Sequence, residues 1–229
     1  LITPKTKALM INTPNNPTGS VMDEETMRQI AEIAVKHDIL VISDDVYNTL
    51  LYDGAKNTCI AAFPGMKERT AVVNSLSKSY AMTGWRIGFV AGPAELVSAM
   101  TKCQENFNAC ANAPGQYAGT VALAHPELCE ELRKVFENRR RLLLDGLKGI
   151  KGIESNDPKG AFYVFADISS FGLSSADFCN RLLDEQKVVC IPGSAFGACG
   201  EGFIRIAYTC SDSDLVEAVA RIKTFCESL

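Results

Sequence analysis

Ile39-Leu40-Val41-Ile42 is the segment that most limits what this chain can become. Four apolar residues run without a polar alternate, and Ser43-Asp44-Asp45 ends the run. A strand with one wet face alternates; a strand that is apolar on both sides needs cover on both sides, as in a parallel sheet layered by helices. The neighbouring segments agree. Lys7 to Asn12 is a short apolar run that stops at the Pro/Asn/Gly cluster Thr13 to Gly19, the pattern of a buried strand feeding a loop. Asp23 is placed to cap a helix, and Glu24 and Glu25 lie in its first turn, where the helix dipole favours anions. Met27, Ile30, Ala31 and Ala34 then recur at i, i+3, i+4, i+7, one apolar helical face. Ile39 to Ser43, Thr70 to Asn74 and Ile87 to Ala91 complete a β-loop-α-β order, which predicts an α/β domain with a mostly parallel sheet.

Pro93 to about Lys148 reads as nearly continuous helix, with Pro93 and Pro126 at first-turn positions. After Gly149 the pattern changes. Strands are expected over Ala161 to Asp167, Val188 to Ile191 and Phe203 to Ala207. Helices are expected over Ser174 to Gln186 and from Ser211 or Asp212 to about Cys226. The 229 residues suit one large or two modest domains. The change of pattern divides them into 1–138, a layered α/β part, and 139–229, a small α+β domain.

Composition excludes several classes of function. Lys+Arg 23 against Asp+Glu 27 leaves no cationic excess with which to release counterions from a nucleic acid. No apolar run approaches the ~18 residues of a membrane span. Nine cysteines without a Cys-x-x-Cys pair, and only two histidines, His37 and His125, do not make a zinc framework, so no metal is expected. The cysteines read mostly as small core residues with reduced thiols, which implies a cytoplasmic protein. Arg139-Arg140-Arg141 lies among glutamates on a long helix and reads as a solvated face.

The densest chemistry lies in Asn74-Ser75-Leu76-Ser77-Lys78-Ser79-Tyr80-Ala81-Met82-Thr83-Gly84-Trp85-Arg86-Ile87-Gly88. Serine hydroxyls, backbone N–H groups and Arg86 could hold a phosphate while Lys78 reaches a carbonyl, since a lysine amine is the nucleophile of Schiff-base chemistry. By residue type alone, Lys78 reads more readily as an exposed loop lysine. Arg205 lies in the otherwise apolar strand Phe203-Ile204-Arg205-Ile206-Ala207, where a lone charge is costly unless paired. Its partner is either an internal carboxylate or a ligand.

The segment from Ser75 to Gly88 resembles the cofactor-lysine segment of class I aminotransferases of the aspartate aminotransferase type, which use pyridoxal phosphate. Three further segments follow the family's order. Asn15-Asn16-Pro17-Thr18-Gly19 resembles its Asn-Pro-Thr-Gly loop, Asp44-Asp45-Val46-Tyr47 its Asp-x-x-Tyr strand end, and Phe203 to Ala207 its C-terminal arginine strand. The resemblance implies a fold type I transferase with part of the large domain and the small C-terminal domain. It implies an enzyme that moves an amino group between an L-amino acid, aspartate or a related acidic or aromatic one, and a 2-oxo acid.

Residue roles follow from the same resemblance. Lys78 is the Schiff-base lysine and proton carrier. Asp44 pairs with the pyridine nitrogen, so that the ring accepts electrons; neighbouring Asp45 is left as a solvated loop residue. Tyr47 and Asn16 donate to the ring's phenolic oxygen, Asn16 also reaching the substrate. Ser75 and Arg86 bind the phosphate, Arg through its bidentate fork. Ser77 joins them or faces the helix that follows. Arg205 clamps the substrate α-carboxylate, and Pro17 follows a cis bond. Gly160-Ala161-Phe162-Tyr163 resembles a further family segment without an assigned role.

The family chain is longer, and its N-terminal strands and phosphate loop have no counterpart here. The chain is therefore expected to be a C-terminal portion of a homodimeric parent, with several sheet strands lacking. Two other readings stay open. One is a pyridoxal-phosphate carbon–sulfur lyase on the same scaffold. The other is an aminotransferase-like regulatory domain, against which the lack of a DNA-binding helix pair or basic arm counts.

Overall fold

The computed structural model describes residues 1–229, which group into two compact units. The first comprises Leu1–Pro14 with Val21–Leu132, the second Asn15–Ser20 with Arg133–Leu229.

The first unit is built on a four-stranded sheet in the order β1-β2-β3-β4, with β1 Ala8–Asn12, β2 Leu40–Asp44, β3 Thr70–Ser75 and β4 Gly88–Ala91. β1, β2 and β3 are parallel, and β4 returns antiparallel to β3. The crossover from β1 to β2 is α1, Glu24–Lys36, capped by Asp23, whose Oδ1 accepts the Thr26 N–H at 2.8 Å. Its apolar face packs as its spacing predicts: Met27, Ala31 and Ala34 are buried with Ile11, Ile39 and Val41. β4 starts one residue later than expected. Arg86 occupies the left-handed region at φ 55°, and the Ile87 carbonyl accepts the Leu76 N–H, so pairing with β3 begins at Gly88.

Short α2, Leu76–Ser79, follows β3. Then come α3, Ala94–Asn108, and α4, Ala113–Leu123. A methyl group on Gly119 would stand 2.7 Å from the Leu76 side chain, so Leu76 would have to shift to admit any larger residue on α4 there. Pro93 and Pro126 fall one position earlier than expected, immediately before α3 and before α5, Glu127–Leu147.

The second unit carries an antiparallel sheet in the order β5-β6-β8-β7: β5 Glu154–Ser155, β6 Tyr163–Asp167, β8 Phe203–Ala207 and β7 Ile191–Pro192. Val164, Ala166, Ile204 and Ile206 are buried on one face; Phe165, Phe203 and Arg205 alternate onto the other. Helices α6, Ser175–Gln186, and α7, Asp212–Glu227, pack with the Phe178 and Phe225 rings edge to face at 5.1 Å. Ser174 and Ser211 cap them, accepting from the Asp177 and Asp214 N–H groups.

Two expected strands are shorter than read. Ala161 has φ 58°, which no strand residue adopts, so β6 starts at Tyr163. Lys187 caps α6 at φ 59°, and β7 reaches β8 only at the Ile191–Arg205 pairing, leaving Val189 exposed outside the ladder. The two-residue strand β5 carries no periodicity a sequence could reveal.

The tertiary structure overturns two surface assignments. Of Arg139-Arg140-Arg141 only Arg141 is a solvated residue. Arg139 pairs with Asp212 at 3.0 Å. Arg140 is 3% exposed, donates from Nε to the Pro158 carbonyl at 2.6 Å and pairs with Asp157. The cysteines are not mostly core: Cys129, Cys179, Cys190 and Cys226 are buried, whereas Cys103, Cys110, Cys199 and Cys210 are exposed. Burial pushes the Cys179 and Cys226 thiols up to about 11 and Cys190 to about 12, so these stay protonated at neutral pH.

Asp157 supplies a pH-dependent contribution to stability. Its hydrogen bond from Lys159, and the nearby Arg140 and Lys159 charges, hold its carboxyl below the usual range. A depressed folded-state pKa stabilises above the unfolded value of about 3.9 and is lost as pH falls through the folded value. Urea midpoints of wild type and Asp157→Asn should therefore differ at pH 6 and converge below about pH 4. A gap independent of pH would show that the charge is not what matters.

Candidate active site

Five of the eight candidate residues sit at the carboxyl ends of β2 and β3, where open α/β sheets place ligands. Asp44 is the last residue of β2. Strand alternation turns it to one face and Ser43 and Asp45 to the other. Asp44 is half-buried; its carbonyl accepts the Asn12 amide at 3.0 Å and its carboxylate a long 3.4 Å bond from the Val46 N–H. Burial raises its pKa, that backbone bond opposes the rise, and no cation is paired with it. A partly desolvated acid lacking a cation fits a protonated ring nitrogen.

The expectation that Asp45 is a solvated loop residue is wrong. Its N–H donates to the Val73 carbonyl at 2.9 Å, which extends the ladder beyond β2 and carries the side chain inward. It is 3% exposed and accepts the Ser43 hydroxyl at 2.6 Å. Burial raises its pKa too.

A raised carboxyl pKa in the folded state means stability falls as pH rises from the unfolded value through the folded one. Asp44→Asn should therefore raise the thermal midpoint of the cofactor-free protein at pH 7, with the gap closing toward pH 4. A lower midpoint at pH 7 would show that ionised Asp44 stabilises the fold.

Tyr47 lies in the turn after β2 and is buried, not half-buried as its residue type alone suggests. Lys78 occupies the third position of α2 and is half-buried. Ser75 caps α2: its Oγ accepts the Ser77 N–H at 3.1 Å and donates to the Ile87 carbonyl at 3.0 Å. That hydroxyl would have to turn before it could donate to a phosphate. Ser77 is buried. Arg86 is exposed, with Nη1 bonded to the Thr83 carbonyl at 3.1 Å and no carboxylate paired, which leaves donors for an anion. One tie went unread in the sequence. The Thr49 hydroxyl donates to Ser79 Oγ at 2.9 Å, joining the segment of Tyr47 to that of Lys78.

Asn16 and Arg205 belong to the second unit. Asn16 follows β1 in a turn closed by the Gly19 N–H to Asn15 carbonyl bond at 2.8 Å, and the Asn16–Pro17 bond is cis, as is Thr13–Pro14. Asn16 Oδ1 accepts Arg205 Nη1 at 2.9 Å. No carboxylate pairs with Arg205, so the internal salt bridge left open by the sequence is not formed. Its guanidinium instead lies 4.6 Å from the Tyr163 ring centroid and 5.0 Å from that of Phe196. Its buried Nε–H has no acceptor. Arg205 as a whole is half-buried, and a partly desolvated cation with an unsatisfied donor is costly unless an anion arrives.

Tyr163 and Phe196 escaped the sequence reading as partners of Arg205. Tyr163 was visible only as part of an unassigned segment. Phe196, between Ala195 and Gly197, carries no periodic or motif signal.

The donor set fits a phosphorylated aldehyde cofactor: an unpaired acid at a strand end, a lysine on the next strand's helix, and an arginine with free donors. Together with the α/β sheet, it points to the class of pyridoxal-phosphate-dependent transferases. The family model for aminotransferase class I and II matches residues 1–222, and the chain belongs to that family, whose members use pyridoxal phosphate.

An aromatic-amino-acid aminotransferase 2 of Thermococcus litoralis is 45% identical over 225 residues, 97% of this chain and 58% of that protein. An aspartate aminotransferase of Pyrococcus abyssi is 45% identical over the same shares. The crystal structure of an aromatic aminotransferase from Pyrococcus horikoshii superposes with TM-score 0.95 at 43% identity, over 99% of this chain and 61% of that one. The chain thus spans about 58% of the length of these curated relatives.

Proposed function

We propose that the protein is an aminotransferase, moving an amino group between an L-amino acid and a 2-oxo acid with pyridoxal phosphate. The observation that carries the proposal is Arg205, a cation with a buried, unsatisfied Nε–H and no protein carboxylate, suited to the one group that amino acids and 2-oxo acids share. When bound, pyridoxal phosphate supplies an aldehyde for an amine and a ring that accepts electrons.

The chain's own residues do the rest. Lys78 Nζ would hold the cofactor through its aldehyde carbon and, once displaced by the substrate amine, would take the substrate α-proton as general base and return it. Asp44 would keep a proton on the ring nitrogen. Arg86, with Ser75 and Ser77, would hold the phosphate, and Tyr47 and Asn16 would donate to the ring oxygen. Arg205 and Asn16 orient the substrate carboxylate.

Residues 1–138 form part of a large cofactor domain and 139–229 a small domain, within a cytoplasmic homodimer. No helix is long and apolar enough to cross a membrane. The relatives' names include aspartate and aromatic aminotransferases, which supports an acidic or aromatic donor over the carbon–sulfur lyase reading. The test is transfer of ¹⁵N from labelled aspartate, and separately from labelled phenylalanine, to 2-oxoglutarate by the full protein loaded with pyridoxal phosphate. Labelled glutamate from either donor is expected. Pyruvate and ammonia from a cysteine conjugate, with no labelled glutamate, would overturn the reading.

A further inference from the structure

Arg205 reaches its place from β8, but nothing on β8 itself fixes the guanidinium plane. Nη1 is tied to Asn16, and the rings of Tyr163 and Phe196 both lie within cation–π range of the guanidinium. They differ in kind. Tyr163 is buried on β6, part of the sheet that carries Arg205. Phe196 is 37% exposed and stands on a loop. Its exposure means the fold does not need its burial, so its placement calls for another reason.

That loop is held far more firmly than a surface turn requires. Gly193 and Gly200 meet so closely that a methyl group on Gly193 would lie 2.0 Å from the Gly200 carbonyl oxygen. Glu201 then clips the far end to α6: its Oε1 accepts the Ser175 N–H at 2.6 Å and its Oε2 the Ser175 hydroxyl at 2.9 Å. Ser175, fully buried, also stands 3.1 Å from Ser194 Oγ at the near end. Both ends of the loop are thus pinned to one serine, and the Phe196 ring projects from between them. It meets Phe165 edge to face at 6.2 Å and lies within cation–π range of Arg205.

We propose that Phe196 is a positioning residue for the Arg205 clamp: its ring, fixed by the Ser175–Glu201 clip, holds the guanidinium in the orientation that receives a carboxylate. This rests on the reading of Arg205 as a carboxylate clamp. A planar fork gives two parallel bonds to a carboxylate only in one plane, so a guanidinium free to rotate loses affinity.

The test uses the full chain with maleate as probe, together with the Arg205 Nε–H signal in ¹⁵N-resolved NMR. Wild type should bind maleate and show a slowly exchanging Nε–H displaced by ring currents. Phe196→Leu should lose that displacement and bind about tenfold more weakly. Phe196→Tyr, which keeps the ring, should retain both, whereas Phe196→Met, close to Phe in bulk but without a ring, should lose both as Leu does. Arg205→Gln should abolish binding. Unchanged affinity and Nε–H signal in Phe196→Leu, with binding still lost in Arg205→Gln, would overturn the positioning role and leave the clamp standing. Undiminished binding by Arg205→Gln, or no binding by wild type, would overturn the clamp and the positioning role with it.

Discussion

Lys78→Ala is expected to abolish covalent capture of pyridoxal phosphate. With cofactor at stoichiometric concentration, borohydride should fix one pyridoxyl group on the wild-type chain, mapped by peptide mass to Lys78, and none at that position in the variant. The argument is local. Lys78 sits on α2 directly after β3, one residue before Ser79, whose hydroxyl is bonded to Thr49 two positions beyond Tyr47. That connection couples the lysine segment to the Asp44–Tyr47 segment and separates Lys78 from an ordinary surface lysine. Alanine is the best helix former, and the Ser75 cap on α2 does not involve the Lys78 side chain, so α2 itself should stay helical in the variant. Amino transfer by the full protein should fall by about a thousandfold or more, because both nucleophile and base are removed. An equal yield of fixed cofactor on another lysine in the variant would sink the assignment of Lys78.

Arg140→Ala has the largest expected effect on folding, a loss of about 3 kcal/mol in urea denaturation. Arg140 is buried, its Nε serves the Pro158 carbonyl and its Nη2 pairs with Asp157. Most of the cost comes from the lost packing of a buried side chain and an abandoned carbonyl. The paired Asp157 is largely solvated and is not stranded when Arg140 is removed. Arg140→Met, which keeps the apolar stem, should recover about half of the loss.

The consequence extends to the site. Residues 156–160 line the turn that carries Asn16: Asn156 donates to the Thr18 carbonyl, and the Gly160 N–H donates to the Gly19 carbonyl at 2.9 Å. Pro158 lies so close to Gly19 that a methyl group there would be 2.4 Å from its Cβ. Removing Arg140 should therefore also loosen Asn16 and weaken maleate binding by Arg205. A stability change under about 0.5 kcal/mol would show that this buried arginine contributes no more than a surface one.

The sequence alone determined the elements whose physics is local. Uniform apolarity marked Ile39 to Ile42 as a parallel strand, and it pairs in parallel on both sides; the expected cover on both faces is not found, because Val41 is buried while Leu40 is exposed. Asp23 was legible as a cap because a cap is a matter of one side chain and the N–H groups just beyond it, and Ser174 and Ser211, read as helix starts, prove to be caps as well. Lys78 and Asp44 were legible through the family resemblance of their segments, and Arg205 also because a lone charge in an apolar strand is costly to bury.

What only the tertiary structure decided depends on contacts between residues far apart in the chain. Three adjacent arginines on one helix look alike in sequence, yet only Arg140 meets a carbonyl and a carboxylate at 157–158 and is buried. Asp44 and Asp45 are the same residue side by side, and a ladder bond to Val73 sends one inward. Phe196 meets Arg205 because a loop is clipped to Ser175, an arrangement without periodicity. A local pattern can state what a residue would cost to bury, but only the packed chain supplies the partner that offsets that cost.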